Sequence, residues 1–223
     1  MGWFGSNAKI SDVAKQLPHE TLKRLARIVV VDDEADSFPV DALRAQGYSI
    51  EYWPILDAER LSRLERAEFD IVVLDIQGVV PPGFSDTGNG LGVLRRIKKL
   101  NDSQVVVACS GQSYTIDTME FYRLADSTLA KPISVLRAME TIDDLLRKHV
   151  DPTLYWAGIV KMLQANGVTD DKIATLENTV ANAAKKNRRV SIDQIESIVG
   201  RVNTLATVGE LVMKVVDFAS KAP

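Results

Sequence analysis

An α/β fold with a doubly wound parallel sheet, joined to an all-helical module, is what the sequence predicts. Three observations carry that expectation. From Ile28 onward, short β-branched apolar runs alternate with helical patterns as far as Val150; several of these runs stop abruptly at a carboxylate, a serine or a lysine; and no strand pattern follows Pro132. The composition, 46% hydrophobic and 26% charged with a net charge of -3, is that of an ordinary globular chain and gives no general reason to expect a polyanion partner. The single cysteine, Cys109, excludes an intramolecular disulfide and fits a reducing compartment. No apolar run reaches the length of a membrane span, and no basic segment leads into an apolar stretch at the start, so a cytoplasmic protein without membrane contacts is expected. Met1 to Ser6 fits the loose myristoylation pattern, but so short a pattern recurs by chance.

Residues 1–26 read as an N-terminal helical arm. Ser11 caps a short helix carrying Ile10, Val13, Ala14 and Leu17, and Pro18 opens a second with Leu22 and Leu25 inward. His19 in that first turn reads as solvated. The first strand is Ile28-Val29-Val30-Val31, ending at Asp32-Asp33. Ser37 and Pro39 open a helix that stops at Gln46-Gly47, and Tyr48 to Trp53 is the second strand. Asp57 caps a helix with Leu61 and Leu64, which leads into the almost wholly apolar run Phe69 to Asp75, a buried strand that ends in that carboxylate. Gly90 to Leu100 is helical, with Leu91, Val93, Leu94 and Ile97 on one face. Gln104 to Cys109 is the fourth strand, Ile116 to Leu124 a helix, Ser127 to Ala130 the fifth strand and Ile133 to Val150 the last helix of this part. Parallel neighbours require right-handed helical crossovers, hence a doubly wound sheet over 27–149.

Residues 151–223 read as a four-helix C-terminal module. Asp151-Pro152 is a cap with a first-turn proline, and the helix to Leu163 is apolar nearly all round, so burial on all sides is expected, with Tyr155 and Trp156 packing on the first domain or on another protomer. Thr169 caps a second helix whose acids stand in its first turn and whose bases stand in its last. Ser191 and Gln194 form a capping box, and a helix from Leu205 to Phe218 follows Gly200.

The chemistry is expected at the carboxyl edge of the sheet. There the strands end in Asp32-Asp33, Asp75 and Ser110, and Lys131-Pro132 follows the fifth. Carboxylates held this close repel one another unless a cation sits among them, and hard oxygen ligands of this kind suit Mg²⁺. A lysine and a hydroxyl beside them supply what a phosphoryl group needs, a point charge and a donor. Together these are the parts of a site that makes an aspartyl phosphate.

Val29 to Glu34, Val72 to Asp75, Asn89-Gly90-Leu91 through Lys98, Ser110-Gly111 and Ala130-Lys131-Pro132, in that order, resemble the receiver domain of bacterial two-component response regulators over about 28–149. The resemblance implies a flavodoxin-like receiver and a histidine kinase as partner, with Asp75 as the phosphoacceptor. It implies Mg²⁺ held by Asp32, Asp33, Asp75 and the backbone carbonyl of Gln77, and phosphoryl oxygens bound by Ser110 and Lys131. Such a domain catalyses only its own phosphorylation and dephosphorylation, so it is no enzyme toward other substrates. Two departures stand out: the loop Ile76 to Gly88 is longer than usual and borders the site as a lid, a partner contact or a disordered insertion, and Thr128 stands where an aromatic residue is usual.

For the module at 151–223, the first expectation is a protein-interaction or dimerisation role. The alternative is a phosphorylation-controlled transcription regulator that binds DNA through Lys185-Lys186-Asn187-Arg188-Arg189 and the helix after it. Against the alternative, that helix carries Asp193 and Glu196 where a groove-reading helix offers bases or amides.

Overall fold

The structure, a computed structural model, describes residues 8–81, 89–111 and 116–221, with the side chains of 116–118 left aside. The chain divides into two compact units, with breaks between Leu17 and Pro18 and between Val150 and Asp151.

In the unit 18–150, β1 (Arg27–Val31), β2 (Ser49–Trp53), β3 (Ile71–Asp75), β4 (Val105–Ser110) and β5 (Ser127–Ala130) form one sheet in the order β2-β1-β3-β4-β5, every pairing parallel. This is the flavodoxin-like doubly wound order, with its switch point between β1 and β3. The helices between and around the strands are α1 (His19–Leu25), α2 (Val40–Ala45), α3 (Ala58–Glu65), α4 (Gly90–Leu100), α5 (Ile116–Leu124) and α6 (Val135–His149). Both faces of the central strands are covered, which is why β3 and β4 are buried at every position and read as unbroken apolar runs rather than as alternations. One face of the sheet packs Val29, Val72 and Val106 against Leu61, Leu94 and Phe121 of the covering helices.

Register brings the polar strand ends level. Val31 pairs with Leu74, so Asp32 and Asp75 follow at the same height; Asp75 pairs with Cys109, and Ser110 with Ala130, immediately before Lys131.

The helical unit consists of a 3-10 turn at Ile10–Asp12 with α7 (Pro152–Ala165), α8 (Asp170–Lys185), α9 (Ile192–Val199) and α10 (Leu205–Ser220). No described helix is long and apolar enough to cross a membrane.

Several expectations are corrected here. The arm expected at 1–26 is not one element: residues 8–17 belong to the helical unit, where Asn178 Oδ1 accepts from the Ala8 amide at 3.0 Å and Glu177 Oε1 from that of Ile10 at 3.1 Å, whereas α1 packs on α6 and β2. His19 is not a solvated residue: its Nε2 lies 3.0 Å from Asp143, which also accepts from the Tyr48 hydroxyl. And α7 is buried on one side only, through Trp156, Gly158, Ile159, Met162 and Leu163, while Leu154 stays 46% exposed. Of the two aromatics expected to pack outside the module, Tyr155 lies against Phe218 of α10, with ring centroids 5.8 Å apart. The capping box of Ser191 and Gln194 forms with both bonds, while Thr169 makes no side-chain cap bond.

Candidate functional site

Because each strand of a parallel sheet runs the same way, four sequence-distant segments deliver their last residues to one edge. At that edge Asp32 is 1% exposed and Asp75 6%, whereas Asp33 faces solvent. Each of these three carboxylates offers an oxygen, and those oxygens lie within 4.8 Å of one another. Lys131 reaches back over the edge, its Nζ 2.6 Å from Asp75 Oδ2 and 3.0 Å from Asp32, with Glu34 at 3.4 Å. Asp75 Oδ1 accepts from the Ile76 amide at 2.7 Å. Asp32 accepts from the Glu34 amide at 3.0 Å and from the Ser37 hydroxyl, contacts that turn the chain away after β1. Ser110 is buried at the end of β4, and its carbonyl accepts from the Lys131 amide at 3.2 Å.

The electrostatics follow from that packing. Burial pushes the Asp75 carboxyl above the usual carboxylate range; Lys131 opposes the shift and the charge of Asp32 adds to it. For Lys131, burial alone would lower the ammonium, but its hydrogen bonds to Asp75 and Asp32 outweigh burial and hold it above the ordinary lysine range. Cys109, level with Asp75, is pushed up by burial and then by Asp32 and Asp75, so the thiol is an inert packing group.

Two glycines shape the edge. Gly78 has φ +69°, and a Cβ there would lie 1.9 Å from Asp33 Oδ2, so the Asp33 carboxylate lies in the space a side chain would fill. Gly90, the first residue of α4, lies so close to Asp75 that a Cβ would be 2.0 Å from its carbonyl oxygen; the Gly90 amide donates to the Ile76 carbonyl at 2.8 Å, and Asn89 caps the helix through the Leu91 amide. The first part of the long loop after β3 is therefore packed: Ile76 and Val79 are buried, and the Val79 carbonyl accepts from the Leu56 amide at 2.7 Å. Residues 82–88 of that loop lie outside the described residues.

The residues fit a divalent cation. Three carboxylates against one ammonium leave two negative charges, and the donors are hard oxygens around a partly open edge, as an ion that keeps several waters requires. Thr128 lines a cavity of about 410 Å³ together with Ser110, Lys131 and Tyr122 of α5.

Of the residues expected at the site, Asp32, Asp33, Asp75, Ser110 and Lys131 all reach this edge, and Gln77, itself exposed, stands two residues after Asp75. The sequence reading missed Gly78, Ser37 and Tyr52, whose hydroxyl donates to the Asp32 carbonyl at 2.6 Å. A glycine three residues past a strand-end acid was a visible signal for the first; nothing local marks the other two.

No family model and no curated protein matches the chain. Among solved structures it is similar to a CheY-like response regulator receiver domain protein from Methanospirillum hungatei, 22% identical over 56% of this chain and 95% of that one, with a TM-score of 0.47. The receiver domain of NtrX from Brucella abortus is 27% identical over 54% of this chain and 98% of its own, with a TM-score of 0.44. The beryllofluoride-activated NtrC4 receiver domain dimer gives 26%, 55%, 98% and a TM-score of 0.45. These three solved structures are receiver domains, each matched over just over half of this chain.

Proposed function

We propose that this protein is a cytoplasmic response regulator of a two-component phosphorelay whose unit 18–150 accepts a phosphoryl group on Asp75 from a histidine kinase. The observation that carries the reading is the meeting of Asp75, Asp32, Asp33 and Lys131 at one sheet edge, with a charge imbalance that one divalent cation cancels. An Asp75 carboxylate oxygen attacks the phosphorus of a phosphohistidine. The P–N bond breaks, its electron pair stays on the imidazole nitrogen, and the ring takes a proton from solvent. Lys131 and the Ser110 hydroxyl hold the phosphoryl oxygens, and burial of Asp75 keeps the carboxylate poorly hydrated and reactive. Asp32, Asp33, Asp75 and the Gln77 carbonyl would hold Mg²⁺, which supplies neutralisation of the charge that builds on the transferring group. Attack by water on the same phosphorus restores Asp75 and releases inorganic phosphate, so the unit acts catalytically on itself alone.

The helical unit is the output, and it works through protein contacts or self-association. Leu154 and Ile192 are large apolar side chains left 46% and 51% exposed, and the outer face of α9 offers Asp193 and Glu196. DNA binding is the second reading, since Lys185, Lys186, Arg188 and Arg189 are all exposed. Treating the full chain with acetyl phosphate and Mg²⁺ tests both levels. The proposal expects uptake of one phosphoryl group, absent in Asp75→Asn, with a change in solution mass or partner binding. Equal uptake by Asp75→Asn would sink the site; steeply salt-dependent retention on random duplex DNA without any change in association would move the output to the second reading.

A further inference from the structure

Asp32 and Asp33 are adjacent in the chain, yet each brings a carboxylate oxygen to the same cluster with Asp75. Successive residues of an extended chain point to opposite sides, so the pair converges only if the peptide between them is held out of strand geometry. Its two neighbouring anchors both come from β2. The Asp32 amide donates to the Trp53 carbonyl at 3.1 Å, continuing the ladder by one bond. There the ladder stops, because β2 ends at Trp53 and Pro54 turns away. The Asp32 carbonyl, which belongs to the Asp32–Asp33 peptide, accepts instead from the Tyr52 hydroxyl at 2.6 Å.

We infer that Tyr52 is a positioning residue for the cation site: its phenol pins the Asp32–Asp33 peptide and so aims the Asp33 carboxylate at the position it shares with Asp75. Asp33 is then held from two directions, by its own pinned backbone and by the hollow over Gly78, where no side chain intervenes. A bond from a half-buried hydroxyl to the backbone of a metal ligand is the kind of outer contact that orients ligands without touching the ion. The inference rests on the phosphoacceptor reading, since it needs a cation at this edge.

The test titrates Mg²⁺ alone into the full chain by calorimetry and compares Tyr52→Phe, which keeps the ring and removes only the hydroxyl, with wild type. Tyr48→Phe serves as control: it removes a hydroxyl that bonds Asp143, on the same unit but outside the site. The expected result is about tenfold weaker Mg²⁺ binding in Tyr52→Phe and unchanged binding in Tyr48→Phe. Acetyl phosphate labelling of Tyr52→Phe should be slow at low Mg²⁺ and recover at saturating Mg²⁺. Wild-type affinity in Tyr52→Phe, an equal loss in both variants, or a labelling defect that saturating Mg²⁺ does not repair would each overturn the role of Tyr52 while leaving the phosphoacceptor reading standing. Absence of Mg²⁺ binding by the wild-type chain would overturn both.

Discussion

The sheet unit and the helical unit treat charge in opposite ways. In the sheet unit Asp32, Asp75 and Lys131 are drawn together at a buried edge, and a third acid, Asp33, is kept beside them, with no lysine of its own among the described residues. In the helical unit several charges stand where helix physics alone would put them: Asp170 and Asp171 in the first turn of α8, Lys185 in its last, and Asp151 as the cap of α7. Its one buried lysine, Lys214, lies over the ring of Tyr155 at 5.6 Å. A fold can satisfy all its charges locally, so an edge that gathers like charges beyond what one lysine neutralises carries a cost that folding does not explain and that a bound cation relieves.

The largest effect expected is at Lys131. Lys131→Met leaves Asp32 and Asp75 facing each other at a buried edge and should cost about 3 to 5 kcal/mol at neutral pH. Acidification should shrink the loss, because Asp75 protonates at a higher pH than an ordinary carboxylate and the repulsion then disappears. Urea unfolding at neutral and acidic pH checks both magnitude and sign.

Two left-handed glycines, one in each unit, differ in what surrounds them. Gly78 and Gly167 have the same left-handed backbone, φ +69° and +75°, yet a Cβ at Gly78 meets Asp33 and one at Gly167 meets nothing within 4 Å. Gly78→Ala should therefore cost roughly 3 kcal/mol and abolish Mg²⁺ binding, and Gly167→Ala roughly 1 kcal/mol with binding intact. Equal effects on Mg²⁺ would break the distinction between site and scaffold.

A structural charge network in the sheet unit behaves differently from the site. Arg63 bonds Glu68 and Glu51 and lies over the rings of Trp53 and Phe69, at 4.9 and 5.0 Å, and Arg27 pairs with Glu68 too. The hydrogen bond from Arg63 holds Glu68 at a pKa of about 2 against the opposing effect of burial, with Arg27 adding to it. A lowered carboxylate stabilises the fold above its unfolded pKa, and that stability is lost as pH falls from about 4.5 toward 2. After discounting for solvent it is worth on the order of 2 kcal/mol, and Glu68→Gln should flatten this part of the stability curve without affecting Mg²⁺ binding.

Asp33 gives the smallest expected change in stability, and one of opposite sign. Because the ion pairs of Lys131 go to Asp32, Asp75 and Glu34, Asp33→Ala removes repulsion and should raise the melting temperature without Mg²⁺ by a few degrees, while abolishing the shift that Mg²⁺ produces. An undiminished Mg²⁺ shift in the variant would remove Asp33 from the site.

The sheet and its edge were legible because their signals are local. A parallel strand buried on both faces is an unbroken apolar run, and Asp75, Asp32 and Lys131 interrupt or follow such runs at once. The helix Gly90–Leu100 was legible for the same reason, with Asn89 as its cap and a clean apolar face. What was not legible depends on partners far along the chain. Ala8 meets Asn178 across 170 positions, and the His19 side chain meets Asp143 on α6, so neither pairing leaves a periodicity to read. Tyr52 reaches the Asp32 carbonyl across 20 positions and looks in sequence like any strand aromatic.

On the proposed function, group-transfer chemistry is confined to the sheet edge and centred on Asp75. Hydride reduction of an acyl phosphate converts the labelled aspartate to homoserine, which peptide mass mapping locates. After treatment with acetyl phosphate and Mg²⁺, reduction is expected at residue 75 alone, dependent on Mg²⁺ and lost in Lys131→Met. Reduction at any other residue, or the same yield at 75 without Mg²⁺, would contradict it.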